Sequence, residues 1–484
     1  MLRRNGVMNA LKNRTRTLAA RTLLLAGAVG ASCLLAGCAA KQTALRNGAK
    51  AYDRGDVATA RANWQPLAEK GDARAQYMLG VTFAEGNGVQ PDAVQAAHWL
   101  RLAADHGYAA AQNHLGQLYE TGFGVERDLA AAARWYAAAA DGGNAKAQHN
   151  LAVLYFRGEG VARNERTAAQ LAMKSAEQGE PNAQFLIGTF FLDGTGVRQS
   201  DKQAAHWFAK GAAQGLDRAQ YALGVLLQNG RGINRSDVRA AGLFHKAADQ
   251  GLASAQCDLG VLYYHGRGVE RNLDEAARLY RLSADQGFAQ AQANLGAMIL
   301  GGQATARASD EAEHLLRSAA GNGVVQAQYS LAWACSKGQG MTKNPVEAAS
   351  WMRRAAEGGL TVAQLSFGTM LMKGEGLTRD DAEAARWYRR AADAGDAKAQ
   401  ANLGMMYARG QGVEKNMGLA YRWLSLAASQ GDAGACERVA MLTETLDRTE
   451  IAAAERWVVA WQPTAQNADQ AIAGVSSGRN GADE

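Results

Sequence analysis

The chain has 484 residues, of which 48% are apolar and 20% charged. That composition folds, and the length allows about three ordinary domains or one extended repeat array. The formal net charge is +6, but residues 1–37 contain Arg3, Arg4, Lys12, Arg14, Arg16 and Arg21 and no acidic residue. The remainder is neutral, and the electrostatic argument for a nucleic-acid partner disappears. Glycine is the outlier, with 55 copies against 5 prolines.

In chain order, the basic leader runs into an apolar stretch, Thr22 to Ala36, that is too short to span a bilayer and ends in small residues. Residues 1–37 are therefore expected to be an export signal. Its last residues, Leu35-Ala36-Gly37-Cys38, resemble the bacterial lipobox. The resemblance implies cleavage before Cys38 and lipidation of that cysteine. Ala39 follows, where such lipoproteins use Asp to signal inner-membrane retention. An outer-membrane lipoprotein facing the periplasm or the cell surface is the expectation, with 38–43 as a short linker. No later run approaches 18 apolar residues, so lipid is the only membrane attachment expected. Cys257, Cys335 and Cys436 lie in different parts of the chain without CxxC spacing, which argues against local disulfides and a zinc site.

Self-comparison gives the architecture. Gly71, Gly107, Gly143 and eight further glycines up to Gly431 are each 36 residues apart. The glutamines from Gln76 to Gln400 keep the same step, as do small residues from Gly80 to Gly404, with Ala152 and Ala332 as substitutes. A fixed period of this size means a solenoid. Residues 73–432 are ten repeats, numbered 1–10 below.

Each repeat reads as two helices. In repeat 1, Gln76, Leu79, Gly80 and Phe83 form the apolar stripe of a first helix. Gly86-Asn87-Gly88 stops it, Val89 returns to the core, and a second helix follows with Ala96, Trp99 and Ala103 inward. The small residue after Leu79 lets the two backbones approach. Such a hairpin cannot bury its face alone, so stability comes from stacking on neighbours.

The pattern A-x-A-Q-x-x-L-G-x-x-[YF]…G-x-G-V…A-x-x-W…A-A…G closely resembles the Sel1-like repeat, a relative of the tetratricopeptide repeat. The resemblance implies an all-α, right-handed superhelical solenoid whose concave face binds proteins. The copy at 289–324 departs most, with Ile299 for the aromatic, Ala304 for the second loop glycine and Thr305 for the valine. Residues 44–72 are expected to be a shortened capping unit. Residues 433–462 are expected to be closing helices, with Ile451, Ala454, Val458 and Trp461 covering the last face. The segment 463–484 is expected to be disordered.

Catalytic patterns are weak. Gly474-Val475-Ser476-Ser477-Gly478 matches a nucleophile elbow but lies in a polar tail without a strand. The G-x-G loops join helix to helix and lack the third glycine of a dinucleotide fingerprint, so they read as helix stops. His98, His206 and His314 share one solvated slot, three repeats apart, too far to share a metal. The repeated glutamine reads as a backbone tie, not as ten active sites. No catalytic residue, metal or cofactor is expected.

By resemblance to tetratricopeptide arrays, the slots of Arg74, Tyr77, Met78, Val81 and Glu85 line the groove. The aromatic and imidazole residues there, Tyr77, His149, Phe185, Tyr221, Tyr329 and Trp333, are the candidate partner-binding residues. The function expected is a lipid-anchored protein-binding scaffold, in exopolysaccharide export or host contact by analogy with relatives. The rival is a hydrolase of cell-wall-like or β-lactam substrates. Cysteine-rich relatives suggest it, but they carry a paired cysteine in each repeat that this chain lacks.

Overall fold

The computed structural model describes residues 35–86, 91–307 and 310–464. Among them, regular structure is entirely α-helical, in 24 helices. They form two compact units, Met1–Ser236 and Asp237–Glu484. The first holds the capping helices Leu35–Asp53 and Val57–Glu69, repeats 1–4, and the first helix of repeat 5. The second holds the other helix of repeat 5, repeats 6–10 and the closing helices Ala433–Thr443 and Arg448–Ala460.

Local chemistry sets the helix lengths. Second helices begin where Asp128, Asn164, Asp380 and their equivalents accept a hydrogen bond from a first-turn N–H, as Asp128 does from Ala131 at 2.9 Å. First helices end at a left-handed glycine, such as Gly122 with φ 72°, whose N–H closes onto the Leu118 carbonyl at 2.8 Å.

Packing within a repeat depends on the small residue of the first helix. A methyl group at Gly116 would lie 2.6 Å from the Tyr136 ring, and one at Gly188 would lie 2.6 Å from the Phe208 ring. Both rings are fully buried. Where alanine fills the slot, at Ala152 and Ala332, the equivalent partner is Ala172 or Met352. An aromatic ring needs the missing Cβ opposite it. This corrects the expected core in part. The residue after the repeat tryptophan goes deepest; of the tryptophans themselves, Trp207, Trp387 and Trp423 are buried as expected, while Trp99, Trp135 and Trp351 are half-buried.

Repeat 7 (289–324) differs as its sequence suggests. Its helices shorten to Ala289–Leu300 and Glu311–Gly321, Gly301 has φ −78° instead of a left-handed value, and Asp310 makes no side-chain cap. Charge holds the loop instead. Arg281 donates to the Thr305 carbonyl at 2.9 Å and pairs with Glu311 at 3.1 Å, and Arg307 pairs with Asp285 at 2.9 Å.

At the N-terminal end one expectation changes. Residues 38–43, expected to be a linker, continue the helix Leu35–Asp53, in keeping with their alanine-rich sequence. The last helix buries Ala454 and packs on Met417–Ser429, with the Trp457 and Trp423 rings 5.3 Å apart. It leaves Cys436 and Met441 of Ala433–Thr443 exposed.

Candidate protein-binding surface

The repeated glutamine holds the stack together. Gln76 Nε2 donates to the Ala68 carbonyl at 3.1 Å, Gln184 to Ala176 at 3.2 Å and Gln400 to Ala392 at 3.1 Å. Each bond ties a first helix to the end of the preceding helix, which is the backbone tie expected from the sequence. The other amide atom reaches forward. Gln178, Gln214, Gln286 and Gln430, each at the end of the following second helix, donate to Gln148, Gln184, Gln256 and Gln400 Oε1, all at 2.8 Å. This second row recurs in the sequence at the same period, as Gln178, Gln214, Gln250, Gln286 and Gln430.

The row breaks where the donor is lost. Asn322 is one methylene short and Ala394 has no amide; Gln292 Oε1 and Gln364 Oε1 are correspondingly buried without a partner. Ala394→Gln is expected to stabilise the chain by about 1 kcal/mol, the net value of a hydrogen bond that satisfies a buried acceptor. Urea unfolding checks this, and Ala394→Met, which adds length without a donor, should not reproduce the gain.

The candidate partner-binding residues lie on first helices but are not equally open. Tyr77 is half-buried, with its ring stacked on His114 at 5.4 Å and tilted against Tyr108 at 5.1 Å. Burial pushes the Tyr77 phenol well up and holds the His114 imidazole down at about 4, so both stay neutral near pH 7. Phe185 is half-buried against Phe208, ring centres 5.6 Å apart. His149, Tyr221 and Tyr329 are also half-buried, whereas Trp333 is 38% exposed. At the Tyr77 slot of other repeats, Asn113 and Cys257 are buried and accept from Asn150 at 3.1 Å and Asn294 at 3.8 Å. This slot therefore also serves as packing between successive repeats. Glu85, expected on the open face, is buried and accepts a hydrogen bond from the Tyr52 hydroxyl.

The histidine slot is solvated: His98, His206 and His314 are exposed. Among the described residues no group of three or more His, Cys, Asp or Glu is placed to hold a metal ion. Cys257 and Cys335 are buried free thiols, and Cys436 is an exposed one. No described helix is long and apolar enough to cross a membrane. The export signal, the Cys38 side chain and the Gly474–Gly478 pattern lie outside the described residues.

The family model for the Sel1 repeat matches ten consecutive segments, from 73–108 to 397–432. Among solved structures, the chain is similar to c5321, a protective antigen of uropathogenic Escherichia coli strains with an SLR fold, at 30% identity and a TM-score of 0.58. That match covers 86% of this chain and 98% of the antigen. It is also similar to a Sel1 repeat protein from Oxalobacter formigenes, at 30% identity and a TM-score of 0.46, covering 50% of this chain and 96% of that one. No curated protein matches the sequence. Ten matched segments spanning most of the chain, on paired helices that keep the same period, place it: this protein belongs to the Sel1 repeat family.

Proposed function

We propose that the protein is a lipid-anchored scaffold of the bacterial cell envelope that binds protein partners through the first helices of its repeats and catalyses no reaction. Sel1 repeat arrays generally mediate protein–protein interaction. The observation that carries the reading is the division of labour within the repeat. The glutamine and glycine positions that build the stack barely change, while the first-helix slots beside them vary from repeat to repeat and include the exposed Trp333. The anchor rests on Cys38 and the leader before it. The similarity to a protective antigen of a pathogen supports an envelope protein open to contact from outside. Outer-membrane localisation follows from Ala39, and export or host contact is the setting that suits it.

Crosslinked capture from envelope extract tests the binding. Phe185→Ala with Tyr221→Ala is expected to weaken capture about thirtyfold, the effect of removing a central aromatic anchor worth about 2 kcal/mol. Because Phe185 also touches Phe208, capture is normalised to the folded fraction from circular dichroism. Unchanged capture per folded molecule would assign these two rings to packing alone.

A further inference from the structure

Charge is distributed unevenly among the first helices. In repeats 1–5 they balance Arg74, Lys146, Arg157 and Arg218 against Glu85, Glu120, Asp193 and Asp217. In repeats 7–10, Ala289–Leu300, Val325–Lys337, Thr361–Lys373 and Ala397–Arg409 contain no acidic residue; their charges are Lys337, Lys373, Lys398 and Arg409. All four side chains are exposed. The same helices expose Trp333 at 38% and Val362 at 40%. Second helices in this region do carry carboxylates, and several are paired with arginine: Glu311 with Arg281 at 3.1 Å, Glu383 with Arg353 at 3.4 Å, and Glu347 with Arg317.

Helix stability does not require this row. Lys337, Lys373 and Arg409 sit in last turns, where a cation suits the helix dipole. Yet the same position holds Glu85, Thr121, Asp193 and Asn229 in repeats 1, 2, 4 and 5. Lys373 has a carboxylate nearby, Glu375 at 3.5 Å, but both groups are more than half exposed, and such pairs contribute little. Lys337, Lys398 and Arg409 form no ion pair with the described residues.

We propose that the first-helix face of repeats 8–10 binds an acidic, extended protein segment, with carboxylates on Lys337, Lys373 and Arg409 and an apolar side chain against Trp333. This rests on the protein-binding reading above and supplies the partner's chemistry. Packed helices lie about 8–10 Å apart, and an extended chain rises about 3.3 Å per residue, so acidic residues at every third position would meet successive cations. A long nucleic acid fits less well. The row has one cation per helix at this level and is interrupted by apolar side chains, and the chain beyond the leader is neutral.

The probe is a fluorescein-labelled peptide with Glu at every third position and one Leu, titrated by anisotropy into the full chain. Binding that weakens as salt rises, and that the Gln-for-Glu peptide lacks, is the expected result. Lys337→Glu with Lys373→Glu and Arg409→Glu should lower affinity at least about tenfold with an unchanged thermal melt, and Trp333→Ala should lower it separately. Arg157→Glu, at the equivalent position of repeat 3, should have no effect. Equal binding of the Gln peptide, binding unaffected by the triple reversal, or preference for single-stranded DNA over the peptide would overturn the proposal. If envelope capture responds to Phe185 and Tyr221 while the triple reversal changes nothing, protein binding stands and this site falls.

Discussion

Cys38→Ser is expected to move the protein from the membrane fraction to the soluble fraction, or to leave it as an uncleaved precursor. A lipidated N-terminal cysteine carries three acyl chains. At about 0.8 kcal/mol per buried CH₂, their removal from the bilayer costs tens of kcal/mol. No described helix could replace them as a span. The helix Leu35–Asp53 runs through position 38, and among its described side chains, from Lys41 onward, the first that is strongly buried is Leu45. At about 1.5 Å rise per residue, roughly 10 Å of helix separates the two. Processing at Cys38 would therefore hold the capping unit close to the lipid surface. Fractionation with outer-membrane markers reads the result, and a processed serine variant that still sediments with outer membrane would refute the anchor.

Gly124→Ala is expected to destabilise the chain by about 3 kcal/mol, whereas Gly107→Ala should cost only about 1 kcal/mol. The two glycines have nearly the same backbone, φ 74° and φ 76°, so the conformational cost of a side chain is shared. Their surroundings differ. A methyl at Gly107 would meet nothing within 4 Å, but one at Gly124 would run into the backbone carbonyl of Ala93, where the preceding repeat's second helix begins. Gly160 stands against Leu129 in the same way, and Gly376 against Pro345. Urea unfolding compares the two variants. Equal losses would mean that the second loop glycine only sets a turn and does not dock one repeat on the previous one.

That second glycine shows where sequence reasoning stops. The period, the helical stripes, the left-handed stop at the first loop glycine and the backbone tie of the repeated glutamine were all legible. Each is a local rule, repeated until chance is excluded. The docking of Gly124 on Ala93 was not, because that contact depends on the register of one repeat against the previous one. The forward glutamine row recurs at the same period, but its bonds join two helices of one repeat 30 residues apart, and only the fold shows that they meet. How the two helices of one hairpin pack decides that Tyr136, and not Trp135 beside it, fills the space over Gly116. At the candidate surface, the sequence named aromatic slots on the first helices. The packing of one first helix on the next half-buries Tyr77, stacked on His114, whereas Trp333, in the slot of Val81, stays 38% exposed. Side-chain type and helical phase decide which face a residue occupies; the neighbouring repeat decides whether that face is left uncovered.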